Sequence, residues 1–159
     1  MKKDLYISCI LGVILSGIGS SYAADVLIKC GGSQGYTYFV EGGLVSSADA
    51  GWQKDAITKG AYTLTKEGES YDLIFSDAMG RTVSSRRDGG NVVPISLSGK
   101  SLVFSIDYPG KLFETWIFDM TATGTGVVTF HQARYGNFPI RKHAVMRAPC
   151  VAIGDKRTS

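Results

Sequence analysis

Charge of one sign, cysteine and histidine are all scarce in this sequence, and no long apolar run follows residue 23. Its 17 basic and 14 acidic residues are scattered, and the most basic points, Arg86-Arg87 and Arg141-Lys142, are isolated pairs suited to solvated turns. A nucleic-acid binder carries a much denser basic face, so nucleic acid is not an expected partner. The three cysteines show no CxxC spacing and there are only two histidines, whereas a stable zinc site takes three or four protein ligands. No serine lies in a G-x-S-x-G elbow. The glycine-rich segment Gly31-Gly32-Ser33-Gln34-Gly35 is not followed by GK[ST], which leaves it without the marks of a phosphate cradle. Arg87-Asp88-Gly89-Gly90-Asn91 lacks the alternating ligands and closing Glu of a calcium loop. Neither a metal nor any other cofactor is therefore expected, and nothing singles out a catalytic residue.

What is present begins with the N-terminus. Lys2 and Lys3 precede a mostly apolar stretch from Leu5 to Ile18, and Ser21-Tyr22-Ala23 places small residues at the −3 and −1 positions of a cleavage site. The apolar stretch is shorter than the roughly 20 residues of a membrane span. Residues 1–23 thus read as a secretory signal peptide, cleaved between Ala23 and Ala24, with no transmembrane anchor left afterwards. The remaining 24–159 suit one β-rich domain. Loss of Lys2, Lys3 and Asp4 leaves 15 basic and 13 acidic residues, a net charge of +2. The expected location is periplasmic or secreted.

Cys9 departs with the signal, so Cys30 and Cys150 remain as a pair in an oxidising compartment, which favours a disulfide between them. Such a bond requires the first and last strands to be neighbours or to face each other.

Period-2 alternation cut by glycine turns dominates the rest. Leu102-Phe104-Ile106-Tyr108 alternates with Ser101-Val103-Ser105-Asp107, and Tyr71-Leu73-Phe75 with Asp72-Ile74-Ser76. Turns fall at Glu67–Ser70, Asp77–Gly80, Ser98–Lys100 and Pro109–Lys111, where Asp, Ser and Pro open a turn and Gly takes positive φ. The fold class expected is all-β, a mostly antiparallel meander of roughly eight to ten short strands forming a small barrel or a sandwich. One short helix is expected near 47–58, capped by Ser46 or Ser47 and ended by Gly60, because Ala48, Trp52 and Ala56 recur every four residues. The last residues, Asp155 to Ser159, read as frayed.

Two registers can be argued from sequence. A loop symmetric about Asn137 sets His131 opposite His143, with Val128 and Phe130 beside Met146 and Ala144. At Pro109-Gly110, a two-residue loop pairs Tyr108 with Lys111, whereas a three-residue loop pairs Tyr108 with Leu112 and points Glu114 inward beside Ile106. A buried carboxylate without a partner is costly, which favours the two-residue loop. Trp116, Phe118 and Glu114 then lie on a second face of their strand, which needs a cover.

That face, with Tyr36 and Tyr38 near the first turn, is the expected binding surface, since aromatic side chains are enriched where proteins recognise partners. The other carboxylates on or beside strands, Asp72, Asp77, Asp107 and Asp119, read as surface groups near turns. The functional expectation is a non-enzymatic protein that binds an envelope or extracellular macromolecule. A binder of a small apolar ligand in a β-domain cavity is the alternative, and a hydrolase with an unrecognised site is a third reading.

Overall fold

Alternation becomes antiparallel strands in the computed structural model, which describes residues 24–77 and 79–153. The expected signal segment 1–23, with its expected cleavage point, and the tail 155–159 lie outside the described residues. The strands are β1 (Asp25–Cys30), β2 (Ser33–Phe39), β3 (Gly51–Ile57), β4 (Ala61–Glu67), β5 (Ser70–Ser76), β6 (Thr82–Ser84), β7 (Asn91–Leu97), β8 (Ser101–Tyr108), β9 (Leu112–Met120), β10 (Thr125–Arg134) and β11 (Lys142–Ala152). They form one sheet in the order β6-β5-β4-β1-β11-β10-β9-β8-β7, every pairing antiparallel, with β2 also on β11 and β3 outside β2.

The sheet branches on β11. One edge of this long strand takes β2 along residues 142–147 and β1 along residues 150–152. Between them the chain steps across at Gly31-Gly32, where Gly31 N donates to Pro149 O at 3.0 Å. Only glycine fits at 32, because a Cβ there would come within 2.4 Å of the Thr58 carbonyl oxygen. Beyond the branch, β4, β5 and β6 continue from β1 as one arm, and β3 continues from β2 as the other.

The first arm curls back over the meander to make a half-barrel. Tyr62 of β4 meets the rings of Trp116 and Phe130 at 5.2 Å each, and Tyr71 of β5 meets Phe104 at 5.1 Å. Gly90 N donates to Ser85 O at 2.8 Å where the arm approaches β7. The core fills the space between with Leu64, Leu73, Phe104, Ile106, Trp116, Phe118, Val128, Phe130 and Met146.

Cys30 and Cys150 are directly paired across β1 and β11 and are joined by a disulfide, with Cα atoms 4.0 Å apart and a sequence separation of 120. Closing a loop of that length stabilises a fold by about 4–5 kcal/mol in the chain-entropy account.

Three expectations are corrected. No helix occurs among the described residues; 51–57 is strand β3 and 46–49 forms turns. Gly51 has φ +107°, outside helical space, and a four-residue recurrence is also a multiple of the two-residue strand period. Trp52 and Ala56 therefore share a face with Lys54 on a strand, not on a helix. The hairpin of β10 and β11 turns about Phe138 instead of Asn137, so His131 pairs with Val145 and His143 with Ala133. This two-residue shift preserves the faces, and Phe130 and Val128 lie opposite Met146 and Ala148.

The third correction concerns Pro109-Gly110. Tyr108 pairs with Leu112 and Phe104 with Trp116, the register of the three-residue loop. Lys111 N donates to Tyr108 O at 2.9 Å, and Gly110 has φ +71°. Pro then Gly with positive φ at the third position is the preference of a type II turn. Glu114, Trp116 and Phe118 consequently point into the core and not to a second face.

Candidate functional site

The five candidate residues fall on opposite faces of the sheet. Glu114, Trp116 and Phe118 line up on the inner face of β9, whereas Tyr36 and Tyr38 stand on the outer face of β2. They do not form one site.

On the inner face Glu114 is only 7% exposed. The carboxylate is buried but partnered. Trp116, two residues along the same strand, donates Nε1–H to Glu114 Oε2 at 3.0 Å. Gln132, opposite Glu114 on β10, donates Nε2–H to Oε1 at 2.7 Å. These two bonds explain why the register rejected on grounds of cost is the one adopted. Each oxygen receives a donor, and what remains is the desolvation of the charge itself. Burial pushes the Glu114 carboxyl above its ordinary value of 4.5, opposed by the hydrogen bonds from Gln132 and Trp116 and by the Arg134 charge.

Beside Glu114 lies a cavity of about 200 Å³ between β9–β10 and the curled arm. Tyr62, Phe75, Trp116 and Phe130 give it aromatic walls, and Arg81 and Asp88 stand at its rim, exposed to solvent. The rings are held by one another: Trp116 stacks on Phe130 with centroids 4.2 Å apart, and Tyr62 stacks on Phe75 at 5.5 Å. Tyr62 shares a hydrogen bond of 2.7 Å with Ser33, and burial raises its hydroxyl pKa. Tyr108, also on the wall, is pushed up to about 12 by burial, against a hydrogen bond with Ser85. Trp116 is 3% exposed and Phe118 fully buried, so Trp116 is both core and cavity wall, while Phe118 is core alone.

On the outer face, strand pairing sets side chains in rows. One row runs Trp52, Tyr38, His143, Ala133, Phe113 across β3, β2, β11, β10 and β9. The next runs Lys54, Tyr36, Val145, His131, Thr115. Trp52 is 62% exposed, Tyr36 51% and Tyr38 37%, and the rings of Tyr38 and Trp52 meet edge to face at 5.5 Å. Phe113 and Val145 extend the apolar surface. Trp52 was hidden from sequence reasoning by the helix assigned over it. The signal that reveals it is the alternation of Trp52, Lys54 and Ala56 with Gln53, Asp55 and Ile57, opening at a glycine.

Among the described residues no group of three or more His, Cys, Asp or Glu could hold a metal ion. No helix among the described residues is long and apolar enough to cross a membrane. No family model matches the chain, and comparison with curated proteins and with solved structures yields no significant match.

Proposed function

We propose that the chain is an exported, non-enzymatic binding protein that contacts an envelope or extracellular macromolecule through the outer face of β3, β2 and β11. The observation that carries this reading is the exposed aromatic row. Trp52, Tyr38 and Tyr36 stand together on a rigid sheet and are continuous with Val145. Tyr and Trp offer large contact area at low entropic cost and are enriched in recognition surfaces. The neighbours on this face are Lys54, His143, His131 and Arg147, which are neutral or cationic. The complementary partner is a macromolecule with an apolar surface and an acidic rim. A disulfide between Cys30 and Cys150 is compatible with an oxidising compartment, which supports the reading of residues 1–23 as a secretory signal.

The test is retention of partners from an envelope fraction by the tagged 24–159 protein, compared with the Trp52→Ala, Tyr38→Ala double variant and identified by mass spectrometry. The expected result is a partner held by the native surface and lost from the double variant, at unchanged melting temperature. An identical set of retained molecules for both proteins overturns the proposal.

A further inference from the structure

The inner cavity carries a second inference, independent of the outer face. Among the described residues that line it, Glu114 is the buried carboxylate, and its two oxygens already accept from Trp116 and Gln132. Both of these partners are neutral, and the Arg134 charge that acts on Glu114 comes from outside the cavity lining, so among the described lining residues an ionised Glu114 has no cation beside it at the buried end of the cavity. A cation in the cavity would pair with that charge directly.

The surroundings define that partner. The rings of Tyr62, Phe75, Trp116 and Phe130 bound the space, and ring faces attract cations, most strongly when desolvated. The charged groups on the lining are Glu114, Asp88 and Arg81, a net −1 when Glu114 is ionised, which one monovalent cation neutralises. The other titratable walls are Tyr62 and Tyr108, neutral at their ordinary value of 10 and held further so by burial, which raises both. Arg134 acts on Glu114 from outside the lining. Size restricts the guest: an apolar cavity of about 150 Å³ holds one benzene, so about 200 Å³ admits a single ring and a small head group.

We propose that this cavity binds a small primary amine as its ammonium ion, with a ring or short chain against the aromatic walls and the charged head on Glu114. The ammonium donates to the free lone pairs of the carboxylate, a charge-assisted bond shorter and stronger than a neutral one. Entry is past Arg81 and Asp88, where the cavity meets solvent, and Asp88 favours a cation at the threshold.

The experiment is titration calorimetry of the 24–159 protein at neutral pH with benzylamine, benzyl alcohol and toluene, three probes of similar shape that differ in head group. Benzylamine is expected to bind at least about tenfold more tightly than benzyl alcohol, a difference worth about 1.4 kcal/mol. Glu114→Gln should remove that preference while leaving the alcohol's affinity within a few-fold. Val83→Phe, which fills the cavity from the short strand β6 without touching Glu114, should abolish binding of every probe at a near-native melting temperature. Equal affinity for amine and alcohol in the native protein overturns the proposal, as does absence of binding by all three probes or an amine preference that survives Glu114→Gln. The first two outcomes are read on the native protein, so they do not depend on whether either variant folds.

Discussion

The two arms that leave β11 start from the same kind of sequence and reach different ends. The β4–β5 arm and the β2–β3 arm both alternate aromatic with polar residues, and both open beside the glycines at 31 and 32. On the first, Tyr62, Tyr71 and Phe75 turn inward and meet Trp116, Phe104 and one another. On the second, Tyr36, Tyr38 and Trp52 turn outward, and the inner positions go to Ser33, Thr37 and Asp55, with Thr37 Oγ1 donating to Asp55 Oδ2 at 2.8 Å. The difference lies in parity. One arm places its large rings on the face that the curl covers; the other places them on the face it leaves bare. Aromatic content alone does not separate core from contact surface, whereas the face on which the rings stand does.

Breaking the comparison from the core side should have the largest effect. Trp116→Ala is expected to cost about 3–5 kcal/mol by loss of a buried ring stacked between neighbours; urea unfolding measures it, and a cost below about 1 kcal/mol would move Trp116 out of the core. Cys30→Ser should come next, at about 2–5 kcal/mol, read as a lower denaturation midpoint, with the reduced native protein shifting by a similar amount.

Glu114 sharpens the comparison through pH. Its proton is held more tightly in the fold than in the unfolded chain. As pH rises above the ordinary value of 4.5, the unfolded chain therefore releases this proton first, and this residue's contribution to stability falls until its raised native value is passed. Glu114→Gln should lack that decline. Urea midpoints of the two proteins across pH 4 to 8 should thus diverge towards the alkaline end in favour of the variant, and parallel curves would contradict a buried titrating carboxyl. The smallest effect on folding belongs to the outer face: Trp52→Ala should alter stability by no more than about 0.5 kcal/mol, measured by the same unfolding curves, while weakening partner retention.

Much of the fold was legible because strands advertise themselves locally. The alternations read at 71–76 and 101–108 are strands β5 and β8 to within a residue, since alternation and the adjoining glycine turns are both short-range signals. β3 was missed for an equally local reason: three residues spaced by four satisfy a helix and a strand alike, and only the positive φ of Gly51 decides between them. The register after Pro109 failed for a different reason. Whether Glu114 can be buried depends on Gln132, eighteen residues away on the next strand, and no pattern within 112–118 contains that information. Of the proposed site residues, Tyr36 and Tyr38 stand exposed on the outer face, while Trp116 and Phe118 were assigned to the wrong face along with their whole strand.

The branching of the sheet on β11 has a consequence for the order in which the chain can be assembled. β11 bonds to β10 on one side and to both β1 and β2 on the other, yet it follows every other strand in sequence. A chain emerging N-terminus first therefore presents β1 and β2 with one edge unfilled until residues 142–152 arrive. Neither arm can be seated on the meander before then, and the cysteine at 30 has no partner to meet before 150. Such long-range closure makes for slow folding. It keeps both arms open at one edge for as long as the last strand is still being made.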